Sequence, residues 1–257
     1  MKSANVLRLL TFLCFAGILF LTGSCKKIVD LLITNPLATV EGCRIEKIVQ
    51  WETPISDPRT YTFKYNSLGN PVSIIGDMPS SSGAPNYFFR YDSKNRLSES
   101  LGFYDNDYYE FWTKYFYDDR GRVVGDSSWV FGLKGEQPDP NSVFIYVSKY
   151  IYDVYGRITK IIAEEVQFTP GQIYTYEYYY NPYGNLMREF PYDEDHVSIY
   201  RTHKLWMFLN RNYSVNTSPP ALSYNSHKLP TRFWDSSSIN FLGMNIGNSE
   251  IYYSCDL

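Results

Sequence analysis

The sequence predicts an all-β protein: an antiparallel meander of repeated β-hairpins, forming a strongly twisted sheet or partly closed barrel, with one short helix. Three observations carry that expectation. Aromatic residues make up 18% of the 257, and 25 of them are tyrosines, which suit a pleated, half-buried surface. Rings recur at every second position in Tyr61, Phe63, Tyr65, in Tyr87, Phe89, Tyr91, and in Tyr174, Tyr176, Tyr178, Tyr180, the period of a strand with one aromatic face. A turn signature follows such runs again and again.

That signature is Tyr, then Asp or Asn, two variable residues, Gly, Arg or Asn, and an aliphatic residue. It reads Tyr65-Asn66-Ser67-Leu68-Gly69-Asn70, then Tyr91-Asp92-Ser93-Lys94-Asn95-Arg96 with Asn95 in place of glycine. The next copies are Tyr117-Asp118-Asp119-Arg120-Gly121-Arg122, Tyr152-Asp153-Val154-Tyr155-Gly156-Arg157 and Tyr180-Asn181-Pro182-Tyr183-Gly184-Asn185. A degenerate sixth, Tyr224-Asn225-Ser226-His227-Lys228-Leu229, is shorter by one residue. The Asp or Asn side chain bonds the backbone two residues on and starts a turn. Glycine, or Asn95, supplies the left-handed position that closes it. The strand after each turn begins at Val72, Leu97, Val123, Ile158 or Leu186. Spacings of 26, 26, 35, 28 and 44 between the tyrosines describe one hairpin unit with linkers of unequal length.

Over residues 43–257 these units resemble the YD repeats of RHS-type proteins, and the layout resembles lipoproteins of Bacteroidetes-type bacteria built from the same units. RHS-type proteins carry many more repeats enclosing a C-terminal toxin, whereas this chain closes on Ile251-Tyr252-Tyr253 and Cys255, so toxin delivery is not implied.

If the Asx turns lie at one end of the strands, the linkers 76–86, 132–142, 164–172 and 191–198 lie at the other. They carry Asp77, Glu136, Asp139, Glu164, Glu165, Asp193, Glu194 and Asp195, which makes that rim acidic. Variable loops on a rigid scaffold are where binding residues concentrate. Asp105, Asp107, Asp193 and Asp195 are therefore candidate ligand-rim residues. Neither Asp105-Asn106-Asp107 with Glu110 nor Asp193-Glu194-Asp195-His196 has the spacing or glycine of a calcium loop, so both read as solvated loops and no metal is expected. One stretch breaks the β pattern: Thr202–Asn210 spaces Leu205, Trp206 and Leu209 as a helix that Thr202 caps and that docks through Trp206 and Leu209.

The N-terminus has Lys2 and Arg8, an apolar run from Leu9 to Leu21, and then Leu21-Thr22-Gly23-Ser24-Cys25. The run falls short of the roughly 20 residues that span a bilayer. The arrangement resembles a bacterial lipoprotein signal peptide, residues 1–24, which implies lipidation of Cys25 and a tether over 25–42 ahead of a β domain over 43–257. The expected address is the outer membrane, on its periplasmic or its outer face. Processing removes Lys2 and Arg8 and leaves 22 basic against 27 acidic residues, so the charge moves from −3 to −5. That balance excludes an electrostatic footprint for nucleic acid. With Cys14 in the leader and Cys25 lipidated, Cys43 and Cys255 remain, and an oxidising compartment favours a disulfide tying first strand to last over two free thiols.

Catalytic signatures are missing from the sequence. His196, His203 and His227 have no nucleophile elbow beside them, and no phosphate loop or closely spaced Cys/His set occurs. No cofactor is expected. Trp51, Trp112, Trp129 and Trp234 near strand ends are candidates for stacking on sugar rings, or for packing within the sheet. The sequence thus points to a lipid-anchored, non-catalytic binding or scaffold module for an envelope protein or glycan. A purely structural envelope component and a glycan-acting enzyme are the alternatives.

Overall fold

The computed structural model describes residues 24–52, 56–187, 190–234 and 239–256. The expected signal peptide falls outside them but for Ser24. A helix α1 (Ser24–Thr34) leads into ten strands: β1 (Ile45–Gln50), β2 (Arg59–Tyr65), β3 (Pro71–Gly76), β4 (Asn86–Tyr91), β5 (Leu97–Phe103), β6 (Tyr108–Tyr117), β7 (Val123–Leu133), β8 (Phe144–Tyr152), β9 (Ile158–Glu165) and β10 (Gln172–Glu177). The remainder comprises β11 (Asp193–Val197), a 3₁₀ turn (Ile199–Thr202), helix α2 (Lys204–Leu209), β12 (Asn216–Thr217), β13 (Ser223–Tyr224), β14 (Pro230–Phe233), β15 (Asn240–Phe241), β16 (Met244–Asn245) and β17 (Ser249–Tyr253). Thirteen strands form one antiparallel sheet in the order β10-β9-β8-β7-β6-β5-β4-β3-β2-β1-β17-β14-β13. It is an open sheet, with β10 and β13 as its edges, so the barrel alternative is set aside.

The turns explain why these residues form hairpins. In the second copy Asp92 Oδ1 accepts the backbone N–H of Lys94 and of Arg96, both at 2.9 Å. The main chain closes the same loop, Asp92 N–H to Arg96 O and Asn95 N–H to Asp92 O. Asn66, Asp118, Asp153 and Asn181 repeat this pattern. The residue before the last is left-handed each time, with φ of 82° at Gly69, 58° at Asn95, 76° at Gly121, 82° at Gly156 and 78° at Gly184. The sixth copy corrects the sequence reading. It is not short: Asn225 Oδ1 accepts from His227 and Leu229, and Lys228 takes the glycine place at φ 64°.

The turns also show a matched choice of residues. Where the first residue is Asp (92, 118, 153) the fifth is Arg, and its guanidinium bonds the second carboxylate oxygen. Where the first is Asn (66, 181) the fifth is Asn, because an amide nitrogen has no lone pair to offer an arginine. Backbone donors lead in holding the Asp92 and Asp118 carboxyls below the usual carboxylate range.

Successive hairpins are joined by the repeat tyrosines. The hydroxyls of Tyr65, Tyr91, Tyr117, Tyr152 and Tyr253 donate to the carbonyls of Ile45, Pro71, Leu97, Val123 and Pro230 at 2.6–2.8 Å. Each acceptor is the first residue of a strand, and Pro71, Leu97, Val123 and Pro230 each follow directly on one of the turns. Arg44, Arg96, Arg122 and Arg157 lie over the rings of Tyr65, Tyr117, Tyr152 and Tyr180 at 4.1–6.0 Å.

That pattern shows what the two chain ends do. Ser254 N–H donates to Arg44 O at 2.9 Å, as Asp92 N–H does to Arg96 O. Arg44 N–H donates to Ser254 Oγ at 3.0 Å, as Arg96 N–H does to Asp92 Oδ1. Ile45 pairs with Tyr253 across a register shift, as Leu97 does with Tyr91. Tyr253-Ser254 and Arg44-Ile45 are therefore the two halves of a seventh turn, split between the ends of the chain. Cys43 and Cys255 lie at disulfide distance, with Cα atoms 4.9 Å apart, and bridge the gap where the main chain is cut.

The segment expected as a tether contains α1, whose Leu32 is buried, and its downstream end is fixed by a buried arginine. Arg201 donates to the carbonyls of Pro36, Ala38, Tyr213 and Ser214, and burial lowers its pKa to about 10. Residues 193–222 and 239–248 form a cap on one face of the sheet, while β13 and β14 between them join its edge. The helix there is shorter than the sequence spacing implies, because a 3₁₀ turn occupies Ile199–Thr202. His203, not Thr202, is its cap: Nδ1 accepts the Leu205 N–H at 3.1 Å, while the Thr202 hydroxyl donates to Ile199 O. Trp206 is fully buried against Phe63, Phe89 and Phe241, Leu209 packs against the same core, and Phe208 reaches the rings of Tyr115 and Tyr150. Leu101, Tyr109 and Trp112 form a smaller cluster of their own with Phe88, Phe103 and Trp129. Among the described residues no helix is long and apolar enough to cross a membrane.

The disulfide closes a loop 212 residues long, for which the chain-entropy model allows stabilisation of up to about 5 kcal/mol. Replacing Cys43 and Cys255 together by Ser is expected to cost about 2–5 kcal/mol in denaturant unfolding. An unchanged unfolding midpoint would show that the split turn holds without its covalent bridge.

Candidate functional site

Strands β4, β5 and β6 turn one face toward the cap, and between the two lies a cavity of about 420 Å³. That is within the roughly 300–1,000 Å³ of small-molecule sites. The sheet contributes Tyr87, Phe89, Ser100, Phe111, Thr113 and Tyr115, and the cap contributes Tyr200, Asn210, Arg211 and the Asn240–Gly243 hairpin. Gly102 makes room for one wall, since a Cβ there would sit 2.4 Å from the Phe111 ring.

Beneath the rings runs a chain of polar groups on an otherwise aromatic face. Thr113 Oγ1 is 2.8 Å from Ser128 Oγ, which donates to Asp126 Oδ1 at 3.1 Å. The Tyr150 hydroxyl donates to Asp126 Oδ2 and accepts from Arg211 at 3.1 Å. The Tyr115 hydroxyl and Ser100 Oγ lie 2.9 Å apart beside it. Asp126 is only 2% exposed, which places a carboxylate in the sheet interior with Arg211 as the nearby cation. Burial raises the pKa of Tyr115 and of Tyr150, so both phenols stay protonated. Burial works against the charge on Arg211, but Tyr150, Tyr115 and Asp126 outweigh it and raise its pKa.

The backbone at Arg211 is unusual. It follows Asn210, the C-cap of α2, with a left-handed φ of 50°. Glycine is the ordinary residue at this helix exit, and a side chain there costs on the order of 1–3 kcal/mol. The turn is nevertheless complete, since Arg211 N–H donates to Phe208 O and Asn212 N–H to Met207 O. The result is a half-buried guanidinium on the cavity wall. Two of its nitrogens bond Leu209 O and the Tyr150 hydroxyl, and a guanidinium has five N–H groups.

The expected rim residues divide: the carboxylates of Asp105 and Asp193 are bonded within the fold, and those of Asp107 and Asp195 lie at the exposed surface. Asp105 accepts from Ser80 N–H at 2.7 Å and Asn86 Nδ2 at 3.0 Å, and the Ser80 backbone leads in lowering its pKa. Asp107 is exposed, and its carbonyl accepts the Lys134 N–H. Asp193 accepts from the Tyr224 hydroxyl at 2.7 Å and pairs with His196 at 2.8 Å; burial opposes its charge, but these partners lower its pKa. Asp195 is exposed, and its N–H reaches Asp193 Oδ1. Asp105 and Asp193 thus belong to different neighbourhoods, one at the β3–β4 linker and one within the cap. Glu165 is likewise engaged: burial opposes its charge, but the N–H groups of Thr169, Phe168 and Gln167 outweigh that and bring its pKa to about 2.

Of the candidate tryptophans, Trp112 is fully buried and Trp51 pairs with Trp234 at 6.0 Å. Sequence reasoning missed Arg211, Asp126 and Tyr150. Nothing marks them in the chain, because they meet only when the cap folds back on β6–β8. Cys43, Cys255 and His227 could bring ligand atoms within 4.8 Å of one another, but the disulfide occupies both sulfurs.

No family model matches this chain, and no curated protein does. Among solved structures, a crystal structure of TcdB2-TccC3-Cdc42 is similar at 14% identity and a TM-score of 0.31, over 56% of this chain and 8% of that one. The chain therefore spans under a tenth of the length it is compared with, and likeness at this level carries no functional argument.

Because Arg211 occupies a glycine place, the Arg211→Gly variant should unfold at the same temperature as wild type or higher. A marked fall in melting temperature would instead make the guanidinium a structural pin for Asp126 and Tyr150.

Proposed function

We propose that this protein is a lipid-anchored, non-catalytic binding module of the cell envelope, and that its ligand is a small acidic sugar or the acidic end of a glycan. One observation carries the reading: a guanidinium held at energetic cost in a left-handed backbone, facing a cavity walled by rings. Aromatic faces suit the apolar faces of a sugar ring, and a planar guanidinium suits a carboxylate. The hairpins are YD-type units in this reading, serving as a rigid sheet that supports the cavity. The rim loops take second place, because Asp105 and Asp193 are already bonded within the fold.

Anchoring rests on the lipobox-like Leu21-Thr22-Gly23-Ser24-Cys25 and on Lys26-Lys27, with no acidic residue beside Cys25, which favours the outer membrane. The anchor would sit close to the domain, since α1 begins at Ser24 and Leu32 is already buried. Cys25→Ser is expected to release the protein from membrane fractions; retention equal to wild type would remove the lipid from the reading.

The ligand reading is tested on full-length protein in detergent by calorimetric titration with hexuronic acids and matched neutral hexoses. Uronate binding at least tenfold weaker in Arg211→Ala, with the sugar recovered unchanged, is expected. Equal affinity in wild type and variant, or no heat from any acid, would end it.

A further inference from the structure

The two edges of the sheet are not alike. β13 is two residues long and gives little to pair with, whereas β10 is six and exposed at every residue. The difference arises at the fifth turn. After the first four turns the chain returns as a strand of six to eleven residues, β3, β5, β7 and β9. After the fifth, the described residues pair back only as Leu186, bridged to Tyr180, and Met187, whose N–H donates to Tyr179 O. The cap begins beyond that point, and among the described residues no strand lies beside Gln172–Glu177 on its outer side.

Tyr178 N–H donates to Thr159 O on the β9 side. Strand alternation therefore turns the main-chain groups of Ile173, Thr175 and Glu177 outward. Edges in monomeric proteins are protected by lysine, proline, bulges or short length. From Gln172 to Tyr176 there is no charge, no proline and no bulge, and Ile173 and Tyr176 are 58% and 51% exposed. Tyr174 and Tyr176 continue the ring face that the cap covers on β2 and β4, but the cap does not reach them.

The geometry points to a second copy of this chain as the occupant, its β10 paired antiparallel with this one about a twofold axis through Thr175. In that register Thr175 faces Thr175 of the second copy, and Ile173 and Glu177 each face the other's counterpart. All three outward residues on each strand then exchange hydrogen bonds. Tyr174 meets Tyr176 across the seam as an aromatic pair. Glu177 brings no clash, since Lys160 neutralises it at 3.1 Å and Tyr179 donates to it. Placed this way the incoming strand covers Gln172–Tyr178 and stops short of Met187. Two membrane-anchored chains would thus share one continuous sheet.

The full-length lipoprotein in native membranes tests this by single-cysteine crosslinking. Under mild oxidation Thr175→Cys should give a self-crosslinked dimer. Gln172→Cys should not, because its own counterpart lies about 20 Å away along the strand. In detergent the wild type should sediment as a dimer, and Thr175→Lys, which sets two like charges on the axis, should be monomeric with unchanged melting. Equal crosslinking at both positions, a crosslink at residue 175 to a different protein, or a wild type that sediments as a monomer would each overturn the proposal.

Discussion

Reversing a strand within four residues leaves main-chain N–H groups inside the loop with no ladder partner, and buried donors of that kind must find an acceptor. At six places in this protein one Asp or Asn oxygen accepts two of them, and at a seventh the Ser254 hydroxyl accepts the one from Arg44. The rest of the architecture depends on that bond. It fixes where each strand starts, which fixes the register, which sets the rings on one face. It also places the first carbonyl of the new strand where the tyrosine of the next copy can reach it. The Asp92–Arg96 and Asp118–Arg122 pairs, which are partly open to solvent, add little, since surface ion pairs contribute at most about 1 kcal/mol. The backbone bonds matter more than the ion pairs drawn beside them.

The split seventh turn gives the disulfide a specific meaning. In an open meander the first and last strands are the natural sites of fraying. Here β1 and β17 are interior strands of the sheet, paired with each other, and the bridge stands where a single residue of main chain would otherwise run. Ser254 also donates to Gly42 O, so hydrogen bonds align the two halves of the turn around the covalent link.

Much of this was legible in the chain. The six turns, the period-two rings and the all-β class follow from local chemistry read along the sequence, and the pairing of Cys43 with Cys255 from elimination among four cysteines. The seventh turn was not, because its halves stand at opposite ends and neither half is a motif alone. The sixth hid its left-handed position behind Lys228, a residue that no turn rule favours. The cavity was out of reach for a similar reason. Asp126 sits between Gly125 and Ser127 in a strand that reads as ordinary, and Arg211 follows a helix as any basic residue might. Only the return of the cap across β6, β7 and β8 sets Arg211 beside Tyr150 and Asp126.

The extent of that cap divides the sheet into two regions with different chemistry. Where it lies over β1–β8, the inward rings of Tyr61, Phe63, Tyr87, Phe89 and Tyr150 are buried and the strands have neighbours on both sides. Beyond it, β10 carries the same alternation of tyrosines into solvent. One repeat pattern therefore builds a closed core in one place and an open face in another, and the choice is made by how far the cap reaches. Burial decides the first region. In the second, edge hydrogen-bonding groups and exposed rings remain available, and both are satisfied by a strand of the same kind as those already in the sheet.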